Sequence, residues 1–156
     1  MNNLNIPGFG KITINHAVFD FNGTLARDGR LLSGIADEIN ALSKTVTCHV
    51  ITADTFGQVE NALEGISTTL HIISEKEQAR QKLAYIQALG AHHTLCAGNG
   101  SNDRLMLKAA RIGIAVLGHE GLATGALMTA DLVVKDIFDL FGLFHSQERL
   151  VATLRS

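Results

Sequence analysis

The run Ala17-Val18-Phe19 ends on Asp20, and Phe21-Asn22-Gly23-Thr24-Leu25 follows. So short an apolar run, rich in β-branched and aromatic residues, predicts a buried strand. Asn22-Gly23 then turns the chain, as it would at the tip of a simple hairpin. A buried strand that hands over to a turn at a carboxylate restricts the fold. In open α/β sheets, ligands bind beyond the carboxyl ends of the strands. A carboxylate at that place can hold Mg²⁺ or attack phosphorus as a nucleophile.

The rest of the chain alternates strand-like and helix-like stretches. Lys11 to Asn15 alternates polar and apolar, predicting a half-exposed strand that pairs with Ala17–Phe21 or lies at an edge. Asp28-Gly29 signals a hairpin, read here as a small flap over the end of the first strand. Helical spacing follows at Ile35, Ile39 and Leu42. Further strands are predicted at 46–52, 69–74, 94–97, 112–117 and 130–134. Asp54 or Thr55 can cap a helix carrying Val59 and Leu63. The helix over 75–89 carries the stripe Ala79, Leu83, Ile86 and Leu89 and stops at Gly90. After Gly98-Asn99-Gly100, Ser101 or Asn102 can cap a helix over 104–111, and a short helix spans 123–128. Ile137, Leu140, Phe141 and Phe144 form a last helical stripe, widened by Phe138, that closes the core or makes a dimer contact. The order predicts right-handed crossovers and a mainly parallel sheet with helices on both faces.

With 156 residues, 46% apolar and 18% charged, the chain is one domain (1–156) with a real core. A net charge of -2 with scattered Lys and Arg predicts no nucleic-acid partner and no membrane surface. No signal peptide opens the chain, and no apolar run approaches the ~20 residues of a membrane span. A cytoplasmic protein is expected. Cys48 and Cys96 read as buried reduced thiols. His92-His93 and the single histidines read as surface residues, with no third ligand spaced for a metal.

Asp20-Phe21-Asn22-Gly23-Thr24-Leu25 resembles the first signature of the haloacid dehalogenase (HAD) superfamily, Asp-x-Asp-Gly-Thr-Leu. Ile51-Thr52-Ala53-Asp54 resembles its second motif, whose Thr or Ser binds the phosphoryl group. Lys82 ahead of Ile86 and Leu89 resembles the third, with Lys76 as competitor. Gly98-Asn99-Gly100-Ser101-Asn102-Asp103 resembles the fourth in its P-type ATPase form, Gly-Asp-Gly-x-Asn-Asp. The four stand in HAD order, each at or after a predicted strand end. The likeness is to a capless, soluble P-type-ATPase-like group, and it implies a HAD-like (Rossmannoid) sheet with a β-hairpin flap and no cap domain.

The resemblance implies a phosphohydrolase in which Asp20 becomes an aspartyl-phosphate. Gly23, Thr52, Ala53 and Lys82 would hold the phosphoryl group, and Asp20, Asn22, Asn99 and Asp103 the Mg²⁺. It implies a small phosphorylated substrate or a phosphoprotein, and a homo-oligomer among the assemblies of so open a site. Two residues depart from the pattern. Asn22 replaces the Asp that serves as general acid and base, which predicts slow turnover. Asn99 removes one negative charge from the metal site. The alternatives are a phosphoaspartate-forming regulatory protein and a non-catalytic scaffold or oligomerisation module.

Overall fold

The computed structural model describes residues 4–53 and 58–156. Asp54 and Thr55, the expected helix caps, lie outside the described residues. Among the described residues, ten strands form three sheets: β1 (Leu4–Ile6), β2 (Gly10–Ile12), β3 (His16–Asp20), β4 (Ala26–Arg27), β5 (Arg30–Leu31), β6 (Thr47–Thr52), β7 (Thr69–Ile72), β8 (Thr94–Gly98), β9 (Ile112–Val116) and β10 (Leu132–Val134). Six of them build the central sheet in the order β10-β9-β8-β3-β6-β7, all parallel. β3, the strand that ends at Asp20, is therefore central.

Helices cover both faces. Beneath one face lie α1 (Ile35–Leu42), α2 (Gln58–Ala62), α6 (Ile137–His145) and α7 (Gln147–Leu154), packed on Ala17, Phe19, Val50, Leu95 and Ile114. The other face carries α3 (Gln78–Leu89), α4 (Arg104–Ala109) and α5 (Thr124–Leu127), packed on Val18, Ile51 and Cys96. This assignment follows from strand alternation, which sends neighbouring residues to opposite faces. Among the described residues, no helix is long and apolar enough to cross a membrane.

Several expectations are corrected. The early polar–apolar segment does not join the sheet: β2 pairs antiparallel with β1 in a separate hairpin that buries Ile6 and Ile12 against the core. The helix over 75–89 starts only at Gln78, because Glu77 sits at φ 52° and the chain has not yet turned helical. The stripe at Ile137–Phe141 does not end the chain. α7 follows it and buries Leu150. Cys48 and Cys96 are buried free thiols, and burial pushes Cys48 up to about 12.

The histidines are not all at the surface. His16 and His49 occupy one face of adjacent strands, because His49 pairs with Val18 and residues two apart share a face. His16 Nδ1 lies 3.0 Å from His49 Nε2, and His49 Nδ1 lies 2.9 Å from the Tyr85 hydroxyl. Burial, aided by His16, pushes His49 down to about 4. The unfolded chain binds this proton near the ordinary 6.5, so His49's contribution to stability is present above that pH. It is lost as pH falls toward 4. The urea midpoint of the wild type should therefore fall relative to that of His49→Gln as pH drops through this window. Equal pH slopes in the two proteins would contradict it.

Candidate active site

The parallel register gathers three strand ends. Asp20 pairs with Ile51, and Phe19 with Ala97, so Thr52 and Gly98 border Asp20 on its two sides. Asp20, Thr52, Lys82 and Asp103 are all buried. Of the two candidate lysines, Lys82 is wholly buried and Lys76 is exposed. Lys82 leans off α3 beneath the end of β3. Its Nζ lies 2.5 Å from Asp20 Oδ1 and 2.6 Å from Asp103 Oδ1.

One ammonium thus sits between two carboxylates. Burial pushes the Asp20 carboxyl up to about 7, the Asp103 charge adds to that, and Lys82 opposes both. Burial also works against a charged Lys82, but the two carboxylates outweigh it and hold the lysine above its ordinary value. The charges are deep and close, where Coulomb interactions are screened least.

The turn after β3 is tighter than the sequence suggests. Gly23, at φ 78°, donates its N–H to the Ala26 carbonyl at 2.8 Å. The amides of Thr24, Leu25 and Ala26 all donate to the Phe21 carbonyl. Gly23, expected to offer its N–H to a phosphoryl group, spends it inside the turn instead. It must still be glycine, since a Cβ there would lie 2.3 Å from Asn99 Nδ2. β4 and β5 form the expected flap, turning at Asp28 (φ 50°) and Gly29 (φ 74°), both left-handed as a type I′ hairpin requires. Glu120 Oε1 accepts the Asp28 N–H at 3.0 Å and ties the flap to the loop after β9. Asn22 is exposed at the mouth, and Ala53 follows Thr52 half-buried at the rim.

Asp103, expected among the metal donors, is buried just past the end of β8 beside Lys82. Its Oδ1 holds Lys82, and its Oδ2 accepts the Gly100 N–H at 2.8 Å. Ser101 and Asn102 do not cap α4: they form a 3₁₀ turn with Asp103, and Asn102 Nδ2 donates to Gln78 at 2.7 Å.

Among the described residues, no three His, Cys, Asp or Glu side chains converge on a metal position. Oxygen donors do converge. The Thr24 hydroxyl lies 3.4 Å from Asp20 Oδ2 and 3.5 Å from Asn99 Oδ1, so these two oxygens are neighbours across the Thr24 side chain. One carboxylate and a neutral amide oxygen suit a hard divalent ion that keeps several waters, as Mg²⁺ does. The residues present fit such an ion in kind, with less charge than two carboxylates would give. A separate cleft of about 220 Å³ lies between the flap and the loop after β9. Gly23 and Thr24 line it but Asp20 and Lys82 do not.

A central parallel sheet with this flap and this strand-end cluster is the HAD-like fold. Solved HAD structures share it. The chain superposes on 3-deoxy-D-manno-octulosonate 8-phosphate phosphatase of Moraxella catarrhalis, solved with magnesium, phosphate and KDO. That match has a TM-score of 0.70 and 15% identity, covering 91% of this chain and 94% of that one. A Legionella pneumophila protein assigned to HAD subfamily III A matches with TM-score 0.71 and 14% identity, over 90% and 87% of the two chains. The cobalt-bound phosphatase of the same octulosonate from Haemophilus influenzae gives 0.66 and 13%, over 91% and 90%. By sequence, an uncharacterized protein of Methanocaldococcus jannaschii is 46% identical over 61 residues, 39% of this chain and 66% of that protein. The chain thus aligns with just under two-thirds of that relative's length. No family model matches.

Proposed function

We propose that the protein is a slow Mg²⁺-dependent phosphohydrolase acting through an aspartyl-phosphate on Asp20. The observation that carries this reading is the buried Asp20–Lys82–Asp103 cluster at the end of β3. A structural ion pair needs one acid. Two buried carboxylates on one lysine, with the outer one 7% exposed at the rim, fit a charge that is kept for use. Phosphatases among the structural relatives support its coarser part, hydrolysis of a phosphate ester.

Asp20 Oδ would attack phosphorus as the bond to the leaving oxygen breaks. The leaving oxygen takes its proton from water, since the Asn22 amide has none to transfer. Water then attacks the phosphorus of the acyl phosphate, freeing phosphate and the Asp20 carboxylate. Lys82 and Thr52 would hold the phosphoryl oxygens while charge moves onto them. Asp20, Asn22 through its carbonyl, and Asn99 would hold the Mg²⁺. When bound, that ion would offset repulsion between carboxylate and phosphate and favour ionised Asp20. Asn22 also favours a second reading, a regulatory protein whose phosphoaspartate persists.

Incubation with Mg²⁺ and acetyl phosphate, followed by intact-mass and peptide analysis, tests both. A phosphoryl adduct on Asp20 is expected, and none on Asp20→Asn. Release of phosphate from p-nitrophenyl phosphate separates the enzyme from the regulator. With neither adduct nor release, the scaffold alternative stands and this reading falls.

A further inference from the structure

β10 is the outermost strand of the sheet, and no strand covers its outer side among the described residues. Leu132 and Val134 point into the core under α6. Val133 points to the opposite face and is 47% exposed. Three more apolar side chains are exposed near this end of the chain: Leu117 just past β9 (48% exposed), and Leu127 and Met128 at the end of α5 (42% and 81%). Exposed apolar side chains at an open strand edge mark an interaction site or an aggregation hazard.

What decides between them is the sequence of the edge, Asp131-Leu132-Val133-Val134-Lys135. Asp131 and Lys135 are both exposed and lie two residues either side of Val133, so all three side chains share a face. Charges beside an edge ordinarily keep other strands away. Here the signs are opposite and the spacing equal, which makes the edge complementary to itself in one arrangement only.

We infer that β10 pairs antiparallel with β10 of a second copy, about a two-fold axis through Val133, joining two six-stranded sheets into one. In that register Val133 meets its own counterpart, Leu132 meets Val134, and Asp131 meets Lys135 twice. Opposite charges and aliphatic side chains directly across an antiparallel pair are stabilising. A slide of two residues sets Asp131 against Val133 and loses both ion pairs. A parallel pairing on the axis would set like charges together. Asp131 Oδ2 accepts the Gly113 N–H of β9 at 2.7 Å and Arg111 acts on the same carboxylate, so the second copy's lysine would reach it at the exposed Oδ1 side. A two-fold contact of one surface with itself closes at the dimer.

Sedimentation velocity of the whole chain, over protein concentrations up to its solubility limit, tests this without reference to activity. The wild type should reach twice the chain mass. Val133→Lys, which sets two ammonium groups on the axis, should remain monomeric. Lys135→Glu, at an exposed side chain outside the core, should raise the dissociation constant about tenfold. Adding Asp131→Lys to Lys135→Glu exchanges both signs and should restore the dimer where the double variant keeps the wild-type melting curve. A wild type that stays monomeric overturns the inference, and so does a dimer indifferent to both Val133→Lys and Lys135→Glu.

Discussion

Replacing Lys82 by Met should destabilise the protein by about 3–5 kcal/mol at neutral pH and remove the proposed phosphatase activity. Met keeps most of the volume of the lysine stem, so the packing around α3 changes little. What is lost is the cation between Asp20 and Asp103, at 2.5 and 2.6 Å. Two buried carboxylates would then face each other unpaired. Asp20, already raised to about 7, would rise further, because the single opposing charge is gone. A group whose pKa is raised in the folded state contributes stability below its unfolded value of 3.8 and loses it as pH rises through its folded value. The Met variant should therefore lie furthest below the wild type at high pH and approach it as the medium turns acidic. Urea titrations at two pH values check both sign and size. Asp103→Asn makes the comparison sharper. It leaves Lys82 paired with Asp20 and keeps an oxygen for the Gly100 N–H, so it should cost less. A Lys82→Met protein as stable as wild type at every pH would mean that the triad carries no net electrostatic weight.

Why the sequence points to Lys82 and yet misreads its surroundings has a physical answer. Helical spacing singles out Ala79, Leu83, Ile86 and Leu89 as the packed stripe. In the fold, Lys82 and Ile86 are the residues of α3 that are buried, and the helix is rotated so that a charge enters the core. Apolar periodicity cannot announce a charge whose partners lie 62 and 21 residues away. The same limit explains the His16–His49–Tyr85 chain, which exists only through strand register. It explains Asp103 as well, whose contacts to Lys82 and the Gly100 N–H no local pattern announces. Local signals were enough elsewhere. β-branched runs that stop at Asp20, Thr52 and Gly98 marked the strands of the central sheet. Asp28-Gly29 marked the flap, because a type I′ turn leaves few other choices. α7 went unread although Leu150, Val151 and Leu154 pack on the core, because a stripe of three apolar residues in eight is short and lies at the end of the sequence.

Asn22→Asp should raise turnover of phosphate monoesters by about 10²–10⁴-fold, the usual worth of a positioned general acid and base. Asn22 is exposed and, among the described residues, no side-chain hydrogen bond ties it down, so the change should alter stability by no more than about 0.5 kcal/mol. The step that gains depends on the leaving group. p-Nitrophenolate departs with little need of a proton, so formation of the Asp20 acyl phosphate from that ester should change little. Its hydrolysis needs a base to take a proton from the attacking water, and an amide cannot serve. The wild type should therefore accumulate phosphoenzyme during turnover, visible as a burst of p-nitrophenolate equal to the enzyme present. The Asp variant should show a faster steady state with a smaller burst. For an alkyl phosphate, whose leaving oxygen does need protonation, both steps should accelerate and the gain should be larger. If the variant left both the burst and the steady state unchanged, residue 22 would lie too far from the reacting oxygens to matter, and slow turnover would have to be traced to Asn99 and the weaker hold on the metal.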